Sequence, residues 1–253
     1  MVKADKNWES GSSLVARQIG SDIITGVYSE GEKLPLEAQL SEKYEVSRNT
    51  LREAMRLLAA KNLVEIAPRR GTSVLSREQW NVLDRDLLEW SADHFMHDRR
   101  FMEELVRARC MVEPAAAKEA ARGATDAQIA TLWDSYTNMV AQAEAVDTSA
   151  SLEADLAFHI AVSEASNNRF IKSIGRSIIH AMRLNFRALF TVPYNFVGNL
   201  ENHRLVAEKI AARDPLAAEA AMLRLLNQSE GDTIRLFEPD PITSTEGPSS
   251  TND

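Results

Sequence analysis

The chain is poor in several things that would direct a reading elsewhere. One cysteine, Cys110, stands among 253 residues, so no internal disulfide can form. Cys110 remains either a small packing residue or, beside Arg109, a redox-sensitive thiol. Aromatic residues make up only 6%. No apolar run approaches the ~20 residues of a membrane-spanning helix. The stretch Met1 to Ser10 is polar and lacks the core of a signal peptide. No solenoid-type repeat is visible. A soluble cytoplasmic protein of one large or two ordinary domains is expected.

What is present leans helical. Apolar residues reach 44%, with Ala and Leu abundant. Net charge is −8, which at first argues against nucleic acid, but its distribution is uneven. Residues 1–78 carry +1 and the remainder −9. Between 47 and 77 stand Arg48, Arg52, Arg56, Lys61, Arg69, Arg70 and Arg77 against Glu53 and Glu65. A local basic surface attracts phosphate even on an acidic protein, because screening makes nearby charge count most.

Hydrophobic spacing predicts a first helix through Leu14, Ile19, Ile23 and Val27, and a short one from Pro35 to about Tyr44. A tight turn follows at Glu45-Val46-Ser47. Ser47 is placed to cap a third helix that carries Leu51, Ala54, Met55 and Leu58 on one face. Extended stretches at Leu63–Ile66 and Thr72–Leu75 flank Pro68-Arg69-Arg70-Gly71 as a hairpin. This is the order of a winged helix-turn-helix. After Trp80 strand signals vanish, and helices are expected at 83–95, 99–122, 125–146, 149–165, 168–190, 199–212 and 214–236. Thr125 and Gln128 form a capping box, and Pro114 should kink its helix. The expected division is a DNA-binding domain over 1–78, an all-helical domain over 79–237 and a disordered tail over 238–253.

In a helix-turn-helix the second helix presents its N-terminal residues to base edges. Here they are Ser47, Arg48, Asn49, Thr50 and Arg52. Arg suits guanine and Asn suits adenine. Arg69 and Arg70 at the wing tip can meet phosphate or the minor groove, and Gly71 permits close backbone approach. A solvated charged face is the blander alternative for any one of these residues.

The helical part places ionisable groups among apolar ones. Asp155 and His159 share a stripe with Leu152, Leu156, Ile160 and Ser163. His203 aligns with Val206 and Ile210, Arg109 with Leu105, Val112 and Ala116, and Arg183 with Ile179, Phe186 and Phe190. Such groups are costly in a core unless paired, metal-bound or facing a cavity. Asp155 and His159 at i,i+4, with His203 from another helix, have the spacing of metal ligands. Satisfied core groups, a divalent ion (zinc or similar), an anionic effector, or ion and effector together all fit this pattern.

The series Leu34-Pro35-x-Glu37, Leu40, Val46-Ser47-Arg48, Leu51-Arg52-Glu53-Ala54, Leu58 and Arg70-Gly71-Thr72 resembles the GntR superfamily of transcription regulators. Ala38 departs from it, where the family often has Arg. Arg109-x3-Glu113-Pro114, Asp155-x3-His159, Asn168, His203, Arg213-Asp214 and Ala221-Met222 resemble the FCD ligand domain of the FadR subfamily. The resemblance implies a dimer and an antiparallel helical bundle around a polar cavity. Metal-binding members carry a further histidine where Leu225 stands, leaving Asp155, His159 and His203 as metal ligands. The stretch Trp80-Asn81-x-Leu83-Asp84-x-Asp86-x-Leu88-x-Trp90 resembles regulators of sugar-acid catabolism, the galactonate group among them; its direct physical role is a clamp between domains.

The expectation is therefore a mainly α, homodimeric, non-enzymatic repressor that reads a palindromic double-stranded operator. A small carboxylate, an aldonate or uronate, would release it by binding Arg109, Asp155, His159, Arg183 and His203. A metal sensor of the same fold and a metal-dependent hydrolase bearing a DNA-binding appendage are the rivals.

Overall fold

The computed structural model describes residues 10–95, 97–145, 148–185 and 193–235. The expected tail, and Phe186 and Phe190 of the Arg183 stripe, lie outside them. The N-terminal elements are α1 (Gly11–Ile24), α2 (Glu37–Lys43), α3 (Arg48–Ala60), β1 (Val64–Ala67) and β2 (Gly71–Val74). Ser47 caps α3 as its spacing implies: its Oγ accepts from the Thr50 amide at 3.1 Å. Asn62 ends the helix in the left-handed conformation that asparagine tolerates. β1 and β2 pair antiparallel, with Val64 opposite Val74. A third extended segment joins them, since the Leu34 amide donates to the Thr72 carbonyl at 2.9 Å and Lys33 bridges Ser73. Sequence spacing gave no sign of it.

The first helix is rotated from its expected phase. Val15, Ala16, Ile19, Ile23 and Ile24 are buried, whereas Leu14 is largely exposed and Val27 lies beyond the helix in solvent. The apolar face thus follows 15, 16, 19 and 23 rather than 14 and 27. Gly71 has a φ of +88°, which demands glycine, and no atom of the chain stands within 4 Å of where a Cβ would lie.

The rest is helical: α4 (Arg85–Phe95), α5 (Arg99–Gly123), α6 (Asp126–Ala145), α7 (Thr148–Ala165), α8 (Arg169–Asn185), α9 (Pro193–Ala211) and α10 (Pro215–Arg235). α7 packs between α6 and α8, α9 packs on α10, and α10 closes against α5. α9 begins six residues before its expected start, with Pro193 in the first turn, where a missing N–H costs nothing. α5 runs through Pro114 as one element. Thr125 and Gln128 form the expected capping box.

α7 is the central helix. Leu152, Leu156 and His159 are buried on one side, and Ala154, Phe158 and Val162 on the other. A helix buried on nearly every side, with Glu153 among its few exposed residues, belongs inside a bundle, and its buried surface is wider than the single stripe expected from sequence.

α4 joins the two parts. Leu87 and Phe95 complete the core around α1 and α3, while the adjacent Leu88 packs with Leu105 and Leu156. Gly20 of α1 lies so close to α4 that a Cβ there would come within 2.6 Å of the Trp90 ring. Lys61, at the end of α3, is buried and donates to Asp84 at 2.8 Å and Asp86 at 2.7 Å, with its Nζ 5.3 Å from the Trp90 ring centroid. The Trp80–Trp90 segment thus acts physically as the expected clamp. Among the described residues no helix is long and apolar enough to cross a membrane.

Candidate functional site

Two constellations carry chemistry: one on α3 and the wing, the other inside the bundle.

On α3, Ser47, Arg48, Asn49 and Arg52 are exposed and Thr50 is half-buried; Arg69, Arg70 and Gly71 are exposed at the hairpin tip. The Ser47 and Thr50 hydroxyls lie 2.8 Å apart, so both are partly engaged in the helix cap. The basic stretch is less free than its composition implies. Arg52 pairs with Glu37 at 2.6 Å and Arg56 with Glu53 at 2.5 Å. Lys61 is held by its two aspartates, and Arg77 donates to the Ile24 carbonyl near Glu30 and Asp98. Among the described residues, Arg48, Arg69 and Arg70 of this stretch have no acidic partner. One sits at the start of α3 and two at the wing tip, the places a duplex would touch.

Inside the bundle, Arg109 of α5, Asp155 and His159 of α7, and His203 of α9 are all buried, as expected, and the fold brings them together. Arg109 Nε donates to Glu113 Oε1 at 2.7 Å, and its Nη2 lies 3.2 Å from His159 Nε2. His159 Nδ1 stands 2.6 Å from Glu113 Oε2, and its Nε2 stands 3.8 Å from Asp155 Oδ2. His203 Nε2 lies 3.1 Å from Asp155 Oδ1, while its Nδ1 is 2.9 Å from the Asn199 carbonyl. Phe158 packs edge-on against both imidazoles.

Glu113 is the residue that site reasoning missed. It entered only as a family landmark, although its position one turn after Arg109 on a buried face was a usable signal. Burial pushes its carboxyl up, but Arg109 and His159 outweigh that and hold it at about 2. Asp155 is also raised by burial, and His159, His203 and Arg109 bring it down to about 2. Both groups are carboxylates at neutral pH.

The second contacts of the imidazoles orient the rings. A carbonyl only accepts, so His203 donates from Nδ1 to Asn199 and directs Nε2 at the Asp155 carboxylate. His159 directs Nδ1 at Glu113 and Nε2 toward Arg109 and Asp155. One ligand atom each from Asp155, His159 and His203 lies within 4.8 Å of the other two. Carboxylate- and carbonyl-backed imidazoles of this kind are the usual second shell of metal ligands, so the donor set fits a divalent cation. Leu225 is buried in the apolar core with Val206, Ile210 and Phe158 and supplies no ligand.

Arg183 does not join this cluster. Its side chain is 36% exposed and pairs with Glu153 at 3.0 Å. It lines a separate open groove of about 490 Å³ with Arg85, Arg176 and His180. Its spacing with Ile179 placed it inward, but α8 turns it toward the rim where Glu153 of α7 meets it.

Comparison with known proteins follows this division. The family model for gntR-family bacterial regulatory proteins matches residues 12–74, and that for the FCD domain matches 104–228. The chain is 35% identical to the Galactonate operon transcriptional repressor of Escherichia coli (strain K12), over 87% of this chain and 94% of that protein. It is 32% identical to the HTH-type transcriptional regulator YieP of the same organism, over 87% and 94%. The solved structure of Lar, which controls expression of the Listeria monocytogenes agr system, shares the fold with a TM-score of 0.62 at 17% identity, covering 91% of this chain and all of that one.

Proposed function

Because the chain belongs to the gntR family of bacterial regulatory proteins and carries an FCD domain, we propose that it is a homodimeric repressor of a sugar-acid catabolic operon. The family is one of transcription regulators and not of enzymes, which sets the hydrolase alternative aside. In this reading residues 1–78 bind operator DNA, 79–237 sense the effector and dimerise, and 238–253 form a tail. Two-fold symmetry pairs two α3 helices with a palindromic operator, and such binding places the protein in the cytoplasm. Ser47, Arg48, Asn49, Thr50 and Arg52 face the major groove, and Arg69, Arg70 and Gly71 contact the backbone or minor groove.

The effector is a small carboxylate, an aldonate or uronate. The observation that carries this reading is the buried string Arg109–Glu113–His159–Asp155–His203 within an apolar bundle. Desolvated ionisable groups in such number are expensive, and a hydroxy acid offers them partners. Arg109 suits its carboxylate. The similarity to the galactonate repressor points to the same class of ligand.

Asp155, His159 and His203 would hold one divalent ion, zinc or similar. Bound, it would act as a Lewis acid for the effector's carboxylate and hydroxyl oxygens. The convergence of one ligand atom from each of the three within 4.8 Å supports this. It also supports a second reading, in which the ion itself is the signal.

A thermal-shift screen of metal-analysed protein against sugar acids, dicarboxylates, lactate and acyl-CoA tests the proposal. A ligand at 100 times its Kd stabilises by ~2.7 kcal/mol. An aldonate or uronate should raise the Tm, fail to do so in His203→Ala, and release operator DNA in a mobility shift. Operator binding that responds to metal alone, with every acid inert, would replace this reading with the metal sensor.

A further inference from the structure

Arg48 and Arg52 stand one turn apart on α3 but are held differently. Arg48 is exposed and has no side-chain partner among the described residues. Arg52 is gripped by Glu37, the first residue of α2: Nε donates to Oε1 at 2.6 Å and Nη2 to Oε2 at 3.3 Å. Glu37 is itself well placed, because the Leu36 amide donates to Gln39 Oε1 at 3.0 Å and fixes the first turn of α2. The neighbouring cation Arg56 is turned aside to Glu53.

The atoms in this pairing matter. A guanidinium has five N–H groups in one plane. Glu37 takes the side-on pair, one from Nε and one from Nη2. Both N–H groups of Nη1 and the second of Nη2 are left over, and one from each nitrogen forms the end-on fork. That fork is a donor pair able to meet O6 and N7 of guanine bidentately. Glu37 therefore fixes the plane and direction of Arg52 without occupying its reading edge.

Stability does not account for the pair. Both partners are exposed, and surface ion pairs contribute little. A carboxylate beside the recognition helix also repels DNA phosphate. Its compensating effect is to restrict the rotamers of a base-reading side chain before DNA arrives.

We propose that Glu37 is a positioning residue for operator specificity. It sets Arg52 as a guanine reader, while the unrestrained Arg48 supplies less selective attraction. This rests on the reading of α3 as the helix in the major groove.

The test uses the full-length chain and a random-sequence duplex library. DNA is selected with the wild type, Glu37→Gln, Glu37→Ala and Arg52→Ala. Affinities for the selected duplex and its single-base variants are then measured by anisotropy at one salt concentration. In the wild type one G·C pair per half-site should be preferred ~10-fold or more, the discrimination a bidentate contact provides. Both Glu37 variants should flatten that position to within about twofold while leaving the others. They should also bind random duplex as tightly as the wild type or more so, having lost a negative charge. Arg52→Ala should flatten the same position. If Arg52→Ala flattens it and the Glu37 variants do not, the positioning role is overturned and the α3 reading stands. A uniform loss on selected and random DNA alike in the Glu37 variants would make Glu37 merely structural and also overturn it. If Arg52→Ala changes no position, or the wild type selects no motif, the α3 reading falls and the proposal with it.

Discussion

Replacing Arg109 with methionine should be far more damaging than replacing Arg109 and Glu113 together would suggest. Both side chains are almost fully buried, at 3% and 2% exposure. Arg109→Met removes the strongest charge partner of a carboxylate that has no access to water. Breaking a buried pair in this way costs ~3–5 kcal/mol. For a chain of this size each kcal/mol lowers Tm by about 2–4 °C, so the single variant should melt ~6–20 °C below the wild type. In Arg109→Met/Glu113→Leu the Glu113 charge is no longer stranded, and Asp155 keeps its contacts with His159 and His203. What remains is His159 Nδ1 without its acceptor 2.6 Å away, a loss of ~1–3 kcal/mol. The double variant should therefore be more stable than Arg109→Met by roughly 2 kcal/mol, although it carries one more substitution. Thermal unfolding followed by circular dichroism, with the cycle completed by Glu113→Leu, measures the coupling. Additive losses, or a single variant within about 1 kcal/mol of wild type, would refute the claim that these residues form one electrostatic unit.

Three further outcomes follow from the same structure. Lys61→Met leaves Asp84 and Asp86 facing each other without their shared cation; with Asp86 half-exposed the expected loss is ~1–2 kcal/mol, and an unchanged Tm would show that the clamp contributes nothing. Gly20→Ala drives a methyl to 2.6 and 2.8 Å from ring carbons of Trp90, and overpacking of this kind costs ~1–3 kcal/mol; an unchanged denaturant midpoint would mean the ring has room to move. For pH, the Glu113 and Asp155 carboxyls are held at about 2 in the fold against ordinary values of 4.5 and 3.8. Depressed carboxylates give stability that is complete above the ordinary values and lost as pH falls toward 2. Acid titration of Tm should show a decline between about pH 4.5 and 2 that is shallower in Arg109→Met/Glu113→Leu, and equal slopes would count against the assignment.

The legible parts of the chain were those governed by local chemistry. Ser47 as a cap, the Thr125–Gln128 box, the wing hairpin and the inward placement of Asp155, His159 and His203 follow from spacing, since each depends on neighbours within a turn or on one period. The errors arise where a distant segment decides. Arg183 has the spacing of an inward residue, but Glu153, thirty positions away, holds it at the rim. The seven basic residues from Arg48 to Arg77 read as a charged surface; Glu37, Asp84, Asp86 and Asp98, all outside that stretch, neutralise three of them. Leu14 and Val27 are apolar at plausible positions, yet the face of α1 is set by the α3 and α4 residues packed on it. Glu113 could have been found, because a glutamate one turn from a buried arginine on the same face has few other places to find a partner.

The two constellations are joined by adjacency within one helix. Leu87 belongs to the core beneath α1 and α3, and Leu88 to the core around Leu105 and Leu156. Leu105 lies one turn before Arg109, and Leu156 follows Asp155 directly. α4 therefore cannot shift against either core without disturbing the other, and Lys61 ties its first turn to the end of α3. Close-packed interiors do not deform continuously, so in the proposed reading a change around Arg109 or Asp155 would reach α3 by moving α4 between discrete placements. A ligand drives that movement only by its difference in affinity between them. Swinging an equilibrium from 1:99 to 99:1 takes ~10⁴-fold, or about 5.5 kcal/mol. One exposed hydrogen bond does not supply that. A carboxylate engaging a desolvated arginine, with hydroxyls on two imidazoles, is of the right order. In the proposed reading, the depth at which these side chains are buried would give a small, polar effector enough leverage to act on the recognition helix.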